Sequence, residues 1–382
     1  MFTRLYIHIP FCQRKCQYCA FVSREGSESE TGAFAELLLE EMLLAARESA
    51  RHQTLDSVYF GGGTPSLLPS KQVARLLERA ARLFGLTGKA EITLEANPGT
   101  VDRRRLADFR SAGVNRLSLG VQSFKDQMLA SLGRIHTAQE ARDAFSAARG
   151  AGFDNIGIDL IHALPGQTLD MWRADLEQGL ALDPEHISIY GLTVEEGTPF
   201  AVRYGEDSPL LPDEDLAADM YECADRILTS GGFEHYEIAN FARPGRRSRH
   251  NSGYWRRDGY LGLGAGAHSY LKNGEYGLRF GNTSDLEEYA SSIGSGTLPR
   301  GEKTRLSRED ALAEFMFLGL RLSEGVARSD FEQEFGVPLG QIFGREIEEL
   351  VAQGLLLADS HGIRLTTRGM LLSNLVFARF LP

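Results

Sequence analysis

Three cysteines stand close together near the start of this chain, Cys12, Cys16 and Cys19, in the spacing C-x3-C-x2-C. A thiolate suits soft metals, and a cubane [4Fe–4S] cluster wants four of them. Three leave one iron without a protein ligand. That iron is then open to the amino and carboxylate groups of S-adenosylmethionine (SAM), whose sulfonium an electron from the cluster can cleave to a 5′-deoxyadenosyl radical. Tyr18 sets a ring beside the third cysteine, where it could face the adenine. Spacing by itself leaves a zinc site of three thiolates plus His8, or three inert cysteines, also open. The fourth cysteine, Cys223, sits on an amphipathic helical pattern and reads as a packed thiol.

The surrounding pattern favours the cluster. Six short apolar runs read as strands: Leu5 to His8, Ser57 to Phe60, Glu91 to Leu94, Arg116 to Gly120, Ile156 to Leu160 and His186 to Tyr190. Helical patterns alternate with them, such as Ala33 to Ala50 with Phe34, Leu37, Leu38, Met42 and Ala45 on one face. Such alternation predicts an α/β fold of parallel strands with helices outside, an open sheet or a partial (β/α)6 barrel. Chemistry in these folds gathers at the C-terminal strand ends. The loops of special composition are there: Pro10-Phe11-Cys12, Gly61-Gly62-Gly63-Thr64-Pro65, Glu95-Ala96-Asn97-Pro98-Gly99, Gln122-Ser123 and Leu164-Pro165-Gly166-Gln167.

Beyond about residue 195 the chain turns rich in Gly, Arg and aromatics, with a helix expected at Asp213 to Thr229. From Leu306, three helical patterns precede two strand-like runs, Leu355 to Leu357 and Ile363 to Leu365, around Ser360-His361-Gly362. That order resembles a winged helix serving as scaffold or partner-docking module. The expected units are 1–195, 196–300 and 301–382.

Hydrophobic residues at 42% and charged residues at 24% suit a soluble globular protein. A net charge of −11 argues against a general grip on nucleic acid phosphates or anionic lipid. A local exception is the basic knot Arg243, Arg246, Arg247 and Arg249. No apolar run approaches the roughly 20 residues a bilayer span needs. Met1 to Pro10 lacks the make-up of a signal peptide. The expectation is a cytoplasmic protein whose thiols stay reduced.

The run Tyr6-Ile7-His8-Ile9-Pro10-Phe11-Cys12, with Gly61 to Ser66, Gly120-Val121-Gln122-Ser123-Phe124 and Leu132-Gly133-Arg134-Ile135-His136, resembles the radical-SAM family of oxygen-independent coproporphyrinogen oxidases, HemN, and its HemW branch. The resemblance covers essentially the whole chain. It implies a partial barrel with a mostly helical, winged-helix-like C-terminal domain of the HemN type. Two features favour the HemW side. HemN-type dehydrogenases carry a further cysteine two residues past the third, where this chain has Phe21. They also extend ahead of the first strand, whereas this sequence starts four residues before Leu5. The segment His250-Asn251-Ser252-Gly253-Tyr254-Trp255 is similar to the H-N-x-x-Y-W pattern of HemW, a heme chaperone.

That resemblance implies cofactor contacts for Tyr6, Tyr18, Gly62, Gly63, Thr64, Glu95, Gln122, Arg134 and Asp159, with cluster ligation by Cys12, Cys16 and Cys19. The glycine loop would pair through its backbone with the methionine amino group. Glu95 would contact SAM, although a carboxylate there could instead cap the helix near Val101. Arg134 can hold a carboxylate bidentately and Asp159 can take ribose hydroxyls, while each alone could be a solvated charge or an ion-pair partner. His250 is the candidate axial heme ligand, Tyr254 and Trp255 would stack on the porphyrin, and Arg246, Arg247 and Arg249 would meet its propionates. Gly262-Leu263-Gly264-Ala265-Gly266 reads as a close-packed turn, since no βαβ unit precedes it. The implied partners are heme, an electron donor for the cluster and a protein that accepts heme. The rival function is coproporphyrinogen III dehydrogenation. A radical-SAM methyltransferase is a third reading, disfavoured by the lack of a recognisable methyl-accepting cysteine pair.

Overall fold

A computed structural model describes residues 1–48, 54–205, 208–272 and 274–382. All six expected strands form: β1 (Arg4–Ile9), β2 (Leu55–Gly62), β3 (Leu86–Ala96), β4 (Arg116–Gln122), β5 (Ile156–His162) and β6 (His186–Gly191). They lie side by side in chain order and pair in parallel throughout. Helices cover the parallel strands, which is why Leu5, Ile7 and Ile9 alternate with partly or fully buried residues and not with solvent-facing ones.

The region after residue 195 carries strands that its weak periodicity concealed. β7 (Glu234–Glu237) and β8 (Asn240–Ala242) extend the sheet beyond β6. At the other edge β9 (Tyr260–Leu263) runs parallel to β1. It is followed outward by β10 (His268–Leu271), β11 (Leu278–Gly281) and β12 (Thr304–Arg305). These strands are only two to four residues long, too short to show a period.

The first helix spans Glu28–Glu48 and so begins five residues before the expected Ala33; residues 49 and 50 of that expectation lie outside the described residues. Its start is fixed by a reciprocal cap. The Glu30 amide donates to Ser27 Oγ at 3.3 Å, while the Ser27 amide donates to Glu30 Oε2 at 2.8 Å. Phe34, Leu38, Met42 and Ala45 bury the expected face in the main core. Cys223 is buried in that core too, on the helix Glu214–Ser230.

The C-terminal part has its own apolar cluster around Met316, Phe331, Leu350 and Ile363. Helices Arg308–Gly319, Arg328–Phe335 and Leu339–Ala352 precede a hairpin of Leu356–Ala358 and Gly362–Leu365, which pairs with Val326–Ala327. This is a winged-helix order. Among the described residues no helix is long and apolar enough to cross a membrane.

Of the glycine-rich run expected as a turn, Gly262 and Leu263 belong to β9, and Gly264 to Gly266 form the turn that follows it. The Gly264 amide donates to Glu41 Oε2 at 2.8 Å, and Asn282 and Tyr289 hold the same buried carboxylate. Its polar groups are consumed by the fold.

Candidate functional site at the strand ends

At the C-terminal ends of β1 to β6 lies a cavity of about 520 Å³. Its lining includes Cys12, Cys16, Cys19, Tyr18, Gly62, Gly63, Thr64, Glu95, Gln122, Arg134 and Asp159, eleven of the thirteen residues singled out in the sequence. Tyr6 and His250 lie elsewhere.

The cysteine loop is anchored by backbone. The Gln17 amide donates to Leu132 O at 3.1 Å, and the Phe200 amide donates to Gln17 O at 3.1 Å. The glycine loop holds it from the other side, with Gly63 N on Ile9 O and Thr64 N on Phe11 O, both at 2.8 Å. This contact explains the glycines. A Cβ on Gly63 would lie 2.6 Å from Phe11 O and 3.0 Å from Cys12 Sγ. Gly62 has φ +112°, and a Cβ there would strike the His8 ring at 2.7 Å.

Among the described residues no three His, Cys, Asp or Glu side chains converge on one ion. The three thiols are all free and line the same cavity. A cubane would take each thiolate on a different iron. The donor set fits the cluster. Arg134 adds a charge to it: Nη1 donates to Cys16 Sγ at 3.4 Å and Nη2 to Gly120 O at 2.7 Å.

Glu95 accepts from Tyr59 Oη at 2.8 Å and from the Gly62 amide at 3.3 Å. It caps no helix; Asn97 caps the turn that follows. Burial, with Asp159 nearby, pushes its carboxyl up to about 7. Asp159 takes Ser118 Oγ at 3.2 Å, and burial raises it as well. Gln122 holds φ +68° at a bulge where the β4–β5 register shifts, a strained conformation for a side chain with a Cβ.

Several residues near the site escaped the sequence reading. Arg116 is 1% exposed below the cavity, with Glu91, Tyr59 and Asp159 around it. Its place inside a strand was a signal, since a buried guanidinium needs such company. His136 bridges the loop after β3 and the end of β4, Nδ1 to Asn97 Oδ1 at 3.0 Å and Nε2 to Val121 O at 3.1 Å. Burial lowers it to about 4. Tyr190 lines the cavity from the end of β6.

A second cavity, about 490 Å³, adjoins the first across Ala20 and Phe21, which line both. Tyr6 is here, its hydroxyl paired with His8 Nδ1 at 3.0 Å, together with Tyr254 and Trp255. Motifs some 230 residues apart in sequence thus share one wall.

His250 lines neither cavity. It is 1% exposed, with Nδ1 on Ser57 Oγ at 2.9 Å, Nε2 on Tyr254 Oη at 2.8 Å, and its ring packed on Tyr59. Both nitrogens are engaged within the protein. The arginines of the expected propionate contacts have partners within the protein. Arg246 pairs with Asp154, Arg247 with Glu234 and Glu324, and Arg249 donates to Lys89 O and Asp56 O.

Residues 6–178 match the family model of the Radical SAM superfamily, and 306–372 match the HemN C-terminal domain. The protein of Lactococcus lactis named heme chaperone HemW is 40% identical over 98% of this chain and 96% of its own. The chain belongs to the HemW family. Its Bacillus subtilis relative of the same name is 35% identical over 98% of both chains. The solved coproporphyrinogen III oxidase HemN of Escherichia coli superposes with a TM-score of 0.84 at 25% identity, covering 99% of this chain and 90% of that one. This chain and HemN thus share one architecture, and Phe21 sits at the rim of the cavity, 66% exposed.

Proposed function

We propose that this chain is a heme chaperone of the radical-SAM type: it binds heme, carries a [4Fe–4S] cluster and SAM, and passes heme to an acceptor protein. The observation that carries this reading is the pair of adjoining cavities, one thiol-lined and one aromatic, in a chain related end to end to proteins named heme chaperone. Cys12, Cys16 and Cys19 hold the cluster. SAM lies across the glycine loop, Glu95, Gln122, Arg134 and Asp159, with Tyr18 toward its adenine.

The backbone amides of Gly62, Gly63 and Thr64 are committed within the protein, so the loop meets an ammonium group through carbonyl oxygens. Ionised Glu95 accepts a further hydrogen bond from the same substrate. Arg134 contributes positive charge where a carboxylate approaches. When bound, the cluster supplies an electron to the SAM sulfonium. An electron donor and a heme acceptor are the implied partners, and the chain divides functionally into 1–195, 196–300 and 301–382.

The second reading, coproporphyrinogen III dehydrogenation, draws on the HemN likeness. One experiment separates them. The protein is purified anaerobically, then assayed for heme binding and, with SAM and a reductant, for conversion of coproporphyrinogen III. Heme binding without protoporphyrinogen IX supports the chaperone; turnover at an enzyme's rate overturns it.

A further inference from the structure

We propose that heme seats in the aromatic cavity with His268 as the axial ligand to its iron and Arg279 facing a propionate. This rests on the heme-chaperone reading and gives it a site.

The cavity is walled by Phe21, Tyr254, Trp255, Tyr260 and Tyr270. Its volume of about 490 Å³ falls in the range of roughly 300–1,000 Å³ that encloses a large ligand. A planar apolar macrocycle with charged edges wants flat aromatic walls, a nitrogen for its metal and a cation for its carboxylates.

Elimination finds the nitrogen. His8 also lines the cavity, but its Nδ1 pairs with Tyr6 Oη and its Nε2 with Val22 O at 2.7 Å. The phenols are equally committed: Tyr254 to His250, Tyr260 to Arg279, and Tyr270 to Arg257 and Tyr276 O. His268 differs. It begins β10, is exposed, and its ring takes no hydrogen bond among the described residues. The strand register sets it opposite Gly281, whose lack of a side chain leaves the ring its place: a Cβ there would lie 3.0 Å from His268 Cε1.

Arg279 lies two residues before Gly281 on β11 and lines the same cavity. Its Nε donates to Glu314 Oε1 at 2.6 Å and the guanidinium also meets Tyr260, which together fix it while the N–H groups left over extend the donor set. Its side chain is 33% exposed, so a propionate can reach it.

The geometry also gives the histidine of the H-N-x-x-Y-W segment a different task. His250 holds Tyr254 Oη from behind, and Tyr254 forms a wall of the heme cavity. His250 is a positioning residue.

The test is heme titration of the cluster-loaded protein beside His268→Ala and Arg279→Gln, with SAM binding and iron content showing that each variant folds. His268→Ala should weaken heme retention by about tenfold or more, equivalent to about 1.4 kcal/mol. It should also lose the absorption and magnetic circular dichroism bands of an imidazole-ligated iron, and added imidazole should restore them. Arg279→Gln should weaken retention while keeping those bands. In the unaltered protein, bound heme should protect His268 from carbethoxylation as mapped by mass spectrometry. A wild-type chain that binds no heme would sink the chaperone reading, and this site with it. Wild-type binding with an unchanged spectrum and affinity in His268→Ala, or with His268 unprotected, would overturn the site alone.

Discussion

The guanidinium of Arg134 lies against Cys16, with Nη1 3.4 Å from its sulfur and Nη2 bound to the carbonyl of Gly120. One side chain thus ties strand β4 to the middle thiol of the cysteine motif. Positive charge and an N–H donor at a cluster sulfur favour the reduced, more negative state. Arg134→Gln should therefore keep the cluster's iron but make its reduction potential more negative. A potentiometric titration followed by EPR measures this, and an unchanged potential would remove Arg134 from the cluster's surroundings.

SAM binding should depend on pH through Glu95. Burial raises this carboxyl to about 7, so it is largely protonated below neutrality and ionised above it. An ammonium group binds the ionised form. Affinity for SAM should rise as pH passes upward through about 7 and level off beyond it. Glu95→Gln should bind SAM more weakly with a flatter profile. Calorimetric titrations on both sides of neutrality decide it; equal pH profiles for the two proteins would exclude the assignment.

His250 should matter to stability more than to the iron. Replacing it with Phe removes the pairings to Ser57 and Tyr254, each worth about 0.5–1.5 kcal/mol, and leaves a buried serine hydroxyl unpaired. The expected loss is about 1–3 kcal/mol in denaturant unfolding, with cluster content unchanged. Heme should bind more weakly, yet with wild-type axial bands. Loss of those bands in His250→Phe would return the ligand role to this residue.

How far the sequence could be read follows from the range of each signal. Strands β1 to β6 carry apolar runs and end in unusual loops, so both their order and the cavity they build were legible from Cys12 to Asp159. The start of the first helix was written as Ser27-x-x-Glu30, a local signal that went unread. β7 to β12 were not legible, because two to four residues cannot show a period. The fate of His250 was not legible for another reason. Its pattern marks a residue worth keeping, and whether its nitrogens face a ligand or the protein depends on Ser57, nearly two hundred residues away. His268 is the converse case, an isolated histidine in a glycine-rich stretch that gains meaning only when β10 and β11 set it beside Tyr254 and Arg279.

The glycine loop offers a test of whether the cysteines are held from outside. A methyl group on Gly63 would press within 2.6 Å of the Phe11 carbonyl and 3.0 Å of Cys12 Sγ, and backbone cannot yield as a flexible side chain would. The cysteine loop must move, since β1 and β2 are locked in register from Arg4 to Ile9. Gly63→Ala should therefore lower cluster occupancy by about half or more while secondary structure is retained, because the cost of about 1–3 kcal/mol falls on the loop and not on the core. Gly88→Ala is the control: nothing lies within 4 Å of its added Cβ, on an exposed part of β3. Iron and sulfide content after anaerobic reconstitution, with circular dichroism beside it, gives the answer. Full cluster occupancy in Gly63→Ala would mean that the glycine serves the ligand cavity and not the seating of the thiols.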